Sequence, residues 1–179
     1  MPLRDELKQV GERIISHFDL GGEPPFIVYQ YPPQQEWPVR RDLGELRRWL
    51  GAEPRHVSCA AVSLAKLFWQ ALADSGFIDE LITQERQALA DPVALRQVYD
   101  AVGEILREPP SLPDRVIEEV RDCEERTAVF LYRAGALYPA YRTSTLLDDL
   151  RGPPGTRSGR ASTHGRACRY GQASCEPPA

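Results

Sequence analysis

The sequence predicts an α/β fold in which a small, mainly parallel sheet is flanked by helices. Short apolar segments alternate with longer amphipathic ones, and the short segments are apolar almost throughout instead of at every second position. Strands of that kind are buried on both faces, as they are in parallel sheets covered by helices. Three such strands are predicted, at residues 26–31, 56–62 and 127–132. We expect this fold to form one soluble globular domain over residues 1–150.

Amphipathic helices precede and follow the first predicted strand. Apolar residues three or four positions apart predict a helix that ends at Gly21 and Gly22. The strand at 26–31 is rich in β-branched and aromatic residues and lies between two proline pairs. A second helix is predicted over residues 36–50, because its apolar residues share one face and Pro38 falls in the first turn, where a missing N–H costs nothing.

The remaining helices are separated by glycine and proline. A helix that follows the second strand is interrupted at Gly76, and Asp91 with the proline after it predicts the N-terminus of a later helix. A run of prolines that ends at Pro113 is expected to break the chain before a short helix around residues 116–120. A last helix over residues 143–150 follows the third strand and a loop.

The composition changes at residue 151. Residues 151–179 contain no Val, Ile, Leu, Met, Phe or Trp, and their 5 basic residues and 1 acidic residue give a net charge of +4. Residues 1–150 carry 17 basic and 25 acidic residues, which gives −8. A segment without large apolar residues cannot repay its ordering entropy by burial, so we expect a disordered, basic, Gly/Arg/Pro-rich tail. Two interpretations stay open: a segment that binds nucleic acid, and a frameshifted reading of a GC-rich gene.

The sequence offers no membrane segment and no leader peptide. Its apolar runs are far shorter than the roughly 20 residues that span a bilayer. Charges occupy the N-terminal positions where a signal peptide carries its apolar core. We therefore expect a cytoplasmic protein that makes no membrane contact and keeps its cysteines reduced.

No motif for catalysis or cofactor binding is recognisable. The chain lacks the spacing of a phosphate-binding loop, and Gly21 and Gly22 precede the first strand, whereas a dinucleotide site needs its glycines after it. The three histidines fit no metal-ligand pattern, and Cys59 and Cys123 have no recognisable catalytic partner. We predict no catalytic residue, no metal and no cofactor. A degenerate nucleotide-binding, NTPase-like domain stays open as an alternative, which is supported only by the predicted class of sheet.

The loop after the third strand is the best candidate for contact with a ligand or partner. Open α/β sheets bind ligands at the carboxyl ends of their strands. Tyr138, Tyr141 and Arg142 follow such an end, and tyrosine and arginine dominate the energetics of protein interfaces. The alternative is that both tyrosines pack against the edge of the sheet.

Two segments of the chain carry distinctive motifs. The first reads GGEPPFIVYQYPP at residues 21–33 and is followed by Glu36 and Arg40. The second reads VFLYRAGALYP at residues 129–139 and is followed by the Tyr-Arg pair at 141–142. Taken together, the two segments resemble the BrxB family of bacteriophage exclusion (BREX) defence systems.

The resemblance implies an accessory subunit without established enzymatic chemistry. Such a subunit works in the cytoplasm beside an alkaline-phosphatase-like PglZ protein, an ATPase and an adenine methyltransferase, and reaches phage DNA only indirectly, through their complex. We expect direct binding to the PglZ-type protein. The predicted partner-binding residues are Glu23, Tyr31, Glu36, Arg40, Gly135, Tyr138, Pro139, Tyr141 and Arg142.

The resemblance covers about residues 5–150. Members of the family continue into a further apolar strand, whereas this chain continues into the basic tail at 151–179. We therefore expect a C-terminally truncated or frameshifted copy, whose sheet lacks a strand and exposes an unpaired edge.

Overall fold

A computed structural model describes residues 4–21 and 26–151. Helices make up most of these residues, and two strands interrupt them. The elements are α1 (Asp5–Leu20), α2 (Glu36–Gly51), β1 (Ser58–Ser63), α3 (Leu64–Ser75), α4 (Ile78–Ala88), α5 (Pro92–Ile105), α6 (Leu112–Glu119), β2 (Thr127–Tyr132) and α7 (Thr143–Arg151), with short 3-10 helices at Pro33–Gln35 and Ala134–Leu137. Beyond Arg151, the tail predicted at 151–179 lies outside the described residues. The prediction that the chain is truncated or frameshifted concerns these same residues.

The strands β1 and β2 pair in parallel and form the sheet of the described residues. The N–H of Ser58 donates to the carbonyl of Arg126 at 2.9 Å, where the pairing begins. This confirms the predicted α/β class, with a small parallel sheet flanked by helices. No helix in the described part of the chain combines the length and the apolarity that crossing a membrane needs.

The predicted strand at residues 26–31 is wrong, because these residues have no regular secondary structure. Side-chain hydroxyls hold the segment instead: Tyr29 donates to Glu6 Oε2 at 2.9 Å and Tyr31 to Glu36 Oε2 at 2.7 Å. Aromatic and β-branched residues favour a strand only where a neighbouring strand supplies backbone partners. Local composition carries no information about that neighbour.

Pro113 does not break the chain as predicted, because α6 begins before it, at Leu112. Ser111 caps this helix: its Oγ accepts the N–H of Asp114 at 3.4 Å, and Asp114 Oδ2 accepts the N–H of Ser111 at 2.9 Å. Proline is tolerated in a first turn, where its missing N–H has no intrahelical partner in any case.

Of the described residues, 4–21, 26–60 and 122–129 form one compact unit, built on α1 and α2. Gly11 allows these two helices to approach closely, because a Cβ at that position would lie 2.6 Å from the Trp49 ring. Arg4 and Asp42 form an ion pair of 2.6 Å in the same unit. Its buried apolar side chains are Leu7, Val39, Leu46, Leu50 and Val57.

Residues 61–121 and 130–151 form the second compact unit, which contains α3 to α7. Its helix ends follow ordinary capping chemistry: Asp91 Oδ1 accepts the N–H of Val93 at 2.9 Å, which confirms the N-terminus predicted for α5. Gly76 ends α3 in the left-handed conformation, at φ 76°. The side chains with the least exposure include Leu64, Leu67, Leu106, Leu112, Val116, Leu137 and Leu146.

Candidate partner-binding site

The predicted partner-binding residues fall into two sets, each within one unit. Glu23 lies outside the described residues. Tyr31, Glu36 and Arg40 belong to the first unit. The second unit contains the other five, all in the loop of residues 133–142, which we call the Tyr138 loop.

Tyr31 and Glu36 are brought together at the start of α2. The Tyr31 hydroxyl donates to Glu36 Oε2 at 2.7 Å. Burial, followed by the hydrogen bond to Glu36 and the charge of that carboxylate, raises the pKa of Tyr31 to about 12, against the opposing charge of Arg40. The Arg40 guanidinium lies 4.8 Å from the ring centre of the exposed Trp37. The hydrogen bond joins Tyr31, at the end of the 26–31 segment, to the first residue of α2, whereas the Arg40–Trp37 contact lies within the helix.

The Tyr138 loop follows the carboxyl end of β2, as predicted. Arg133 leaves the strand in the left-handed conformation, at φ 61°, and a 3-10 helix over Ala134–Leu137 comes next. Leu137 is fully buried, whereas the next residue, Tyr138, has 83% of its surface exposed. Pro139 and Arg142 are exposed as well. The loop therefore displays an aromatic ring beside a buried anchor.

Tyr141 supports this loop from inside the second unit. Its side chain is buried, and its hydroxyl donates to Asp149 Oδ2 of α7 at 2.9 Å. The guanidinium of Arg107, in the turn that follows α5, lies 5.3 Å from the ring centre. Burial, followed by the hydrogen bond to Asp149, raises the pKa of Tyr141 to about 12. Tyr141 therefore packs inside the unit, against Asp149 and Arg107, whereas Tyr138 is exposed.

Gly103 in the last turn of α5 allows the loop to approach this helix. A Cβ at position 103 would lie 2.6 Å from the backbone carbonyl oxygen of Ala140. Sequence reasoning missed Gly103, Arg107 and Asp149 as supports of the loop. The signal for Gly103 was available, because a glycine inside a helical pattern costs about 1 kcal/mol relative to alanine and usually has a packing reason.

The thiols of the described residues belong to the first unit. Cys59 and Cys123 are free and half-buried. The Cys59 Sγ–H donates to the Val57 carbonyl at 3.7 Å, and burial raises its pKa to about 11 against the opposing charge of Arg47. Its thiol is therefore protonated at neutral pH, which is unfavourable for a nucleophile. Among residues 4–21 and 26–151, no three metal-ligating side chains are grouped closely enough to hold an ion.

We expect Cys59 to react slowly with iodoacetamide at pH 8. A pKa of about 11 in place of 9.0 lowers its thiolate fraction roughly 100-fold. The greater intrinsic nucleophilicity of a more basic thiolate compensates for roughly tenfold of this, so a net slowing of about tenfold remains. Peptide-level mass spectrometry of native and urea-unfolded protein measures both rates at the same position. Equal rates in the two states would contradict the raised pKa.

Comparison with known proteins identifies the family. The family model described as "BREX protein BrxB" matches residues 60–155, which is more than half of the chain. The matched part contains the Tyr138 loop and all its supports, whereas the segment at 21–33 that also resembles the family lies before it. No curated protein and no solved structure matches the chain. The chain belongs to the BrxB family and is a component of a BREX anti-phage defence system.

Proposed function

We propose that this chain is a non-catalytic accessory subunit that binds a PglZ-type, alkaline-phosphatase-like protein through the Tyr138 loop. The observation that carries the proposal is the exposure of Tyr138, at 83%, on a loop held by α5, α7 and a buried leucine. A preorganised aromatic side chain loses little conformational entropy on binding. Such anchors contribute most of the affinity at protein interfaces.

The side chains that the loop displays favour binding over catalysis. Tyr138, Pro139 and Arg142 offer a phenol ring, a pyrrolidine ring and a guanidinium, and aromatic and arginine side chains are enriched at interfaces. The loop also lies inside the part of the chain that matches the family. We place the subunit in the cytoplasm with the other BREX components, where it reaches DNA only through their complex.

The first test is the affinity of the full chain for a PglZ-type protein from the same genome. We expect the two proteins to co-elute. The Tyr138→Ser substitution should raise the dissociation constant about 30-fold. This factor corresponds to about 2 kcal/mol, the contribution of a central aromatic anchor. Isothermal titration calorimetry measures both values.

The matched control is Phe77→Ser, which removes another exposed aromatic side chain from the second unit. It should bind as the wild type does. A wild-type chain that is folded by circular dichroism but does not bind would refute the PglZ partner. Equal affinities of Tyr138→Ser and wild type would refute the loop as the binding site.

A further inference from the structure

Three arginines in or beside the Tyr138 loop form no ion pair within the described residues. Arg107, Arg133 and Arg142 are exposed, and none forms an ion pair with a carboxylate of the described residues. Other cations of the second unit are paired: Arg115 with Asp74 at 2.7 Å, and Lys66 with Glu119. Two exposed arginines without an ion pair therefore belong to the same ten-residue loop as the exposed Tyr138, and a third packs on the Tyr141 ring of that loop.

The backbone of the loop places Arg133 and Arg142 at its two ends, and a ring contact positions Arg107. The Arg107 guanidinium lies over the ring of Tyr141, and Tyr141 directly precedes Arg142 in the chain. Arg133 begins the loop, and its carbonyl accepts the N–H of Ala136 at 3.2 Å in the short 3-10 helix. Tyr138 follows that helix by one residue. The three guanidiniums belong to residues that open, close and support the same ten-residue loop.

Arg133 occupies a backbone conformation that suits glycine better. At φ 61° and ψ 36° it lies in the left-handed region, which is strained for a residue with a Cβ. A glycine would relieve that strain and would also remove the charge. This position therefore allows the contribution of the arginine side chain to be separated from the stability of the fold.

We propose that Arg107, Arg133 and Arg142 form a basic rim around Tyr138 that recognises an apolar pocket bordered by carboxylates on a partner protein. This proposal rests on the proposed function and specifies the surface of the partner. An aromatic anchor surrounded by charges is the usual arrangement of a protein interface, with its apolar centre and polar rim. Nucleic acid is the other ligand that arginine side chains bind, through its phosphates, and DNA binding is therefore one outcome of the test.

The test measures the dissociation constant of the full chain with the PglZ-type protein at 50, 150 and 500 mM NaCl, values chosen to span the screening range. We expect wild-type affinity to fall about tenfold across the series. Arg133→Gly and Arg142→Ala should each weaken binding about tenfold at 150 mM. Arg133→Gly should also keep or raise the midpoint of urea unfolding, because it relieves strain. The matched control, Arg86→Ala, removes an exposed arginine of α4 and should leave affinity unchanged.

The outcomes separate this inference from the proposed function. If Tyr138→Ser weakens binding while both rim variants behave like Arg86→Ala and salt has no effect, the basic rim is refuted and the partner assignment stands. If the wild-type chain does not bind at all, the proposed function fails. If a DNA duplex binds the chain and loses affinity in both rim variants, the rim recognises phosphates and the protein partner proposed here is wrong.

Discussion

Leu137→Ala is expected to lower the free energy of unfolding by about 3 kcal/mol. Leu137 is the fully buried residue of the Tyr138 loop, and its truncation removes apolar contacts and leaves a cavity in the second unit. The same change should weaken partner binding, because the exposed ring at position 138 loses its adjacent anchor. Urea denaturation followed by circular dichroism measures the loss of stability.

The matched control for this prediction is Leu89→Ala. Leu89 has 70% of its surface exposed, so the same truncation should change stability by less than about 0.5 kcal/mol. Similar losses in the two variants would contradict the burial of Leu137.

Gly103→Ala and Gly44→Ala should change stability in opposite directions. Both glycines lie in helices, and alanine is the better helix former by about 1 kcal/mol. A Cβ at position 44 meets nothing within 4 Å, so Gly44→Ala should stabilise the protein by nearly that amount. At position 103 it would collide with the Ala140 carbonyl at 2.6 Å, and overpacking of that kind costs roughly 3 kcal/mol. The expected net loss at position 103 is about 2 kcal/mol.

Thermal unfolding distinguishes the two variants directly. For a chain of this size, about 2 kcal/mol corresponds to a fall in Tm of roughly 4–8 °C. Gly103→Ala should also bind the PglZ-type protein less tightly, because the loop must move away from α5. A stabilised Gly103→Ala variant with unchanged affinity would show that the close approach of the loop is not required.

Much of the secondary structure followed from short-range patterns. The strand at 127–132 was predicted at its observed bounds, and the cap at Asp91 marked the start of α5 correctly. Both signals act over a few residues: a run of apolar residues, and a side chain that accepts a nearby N–H. The strand predicted at 26–31 failed because pairing needs a second strand, and the pattern within one segment cannot show whether that strand is present.

The candidate site shows the same division. Tyr138 and Tyr141 are three residues apart in one motif, yet one is exposed and the other is buried against Asp149 and Arg107. Asp149 belongs to α7 and Arg107 to the turn after α5, so the local sequence around the two tyrosines could not distinguish their roles. The position of the loop after β2 could be predicted, because the strand itself could be predicted from its apolar run.

The sequence by itself determined the α/β class, most helix and strand positions, and the resemblance to BrxB that the family match then established. Only the tertiary structure decided which tyrosine faces solvent, which glycine is needed for packing and which arginines form no ion pair with a carboxylate of the described residues. The physical reason is the distance along the chain over which each interaction acts. Periodicity and capping are set by neighbours within about one helical turn, whereas burial and ion pairing depend on residues brought together from distant parts of the chain.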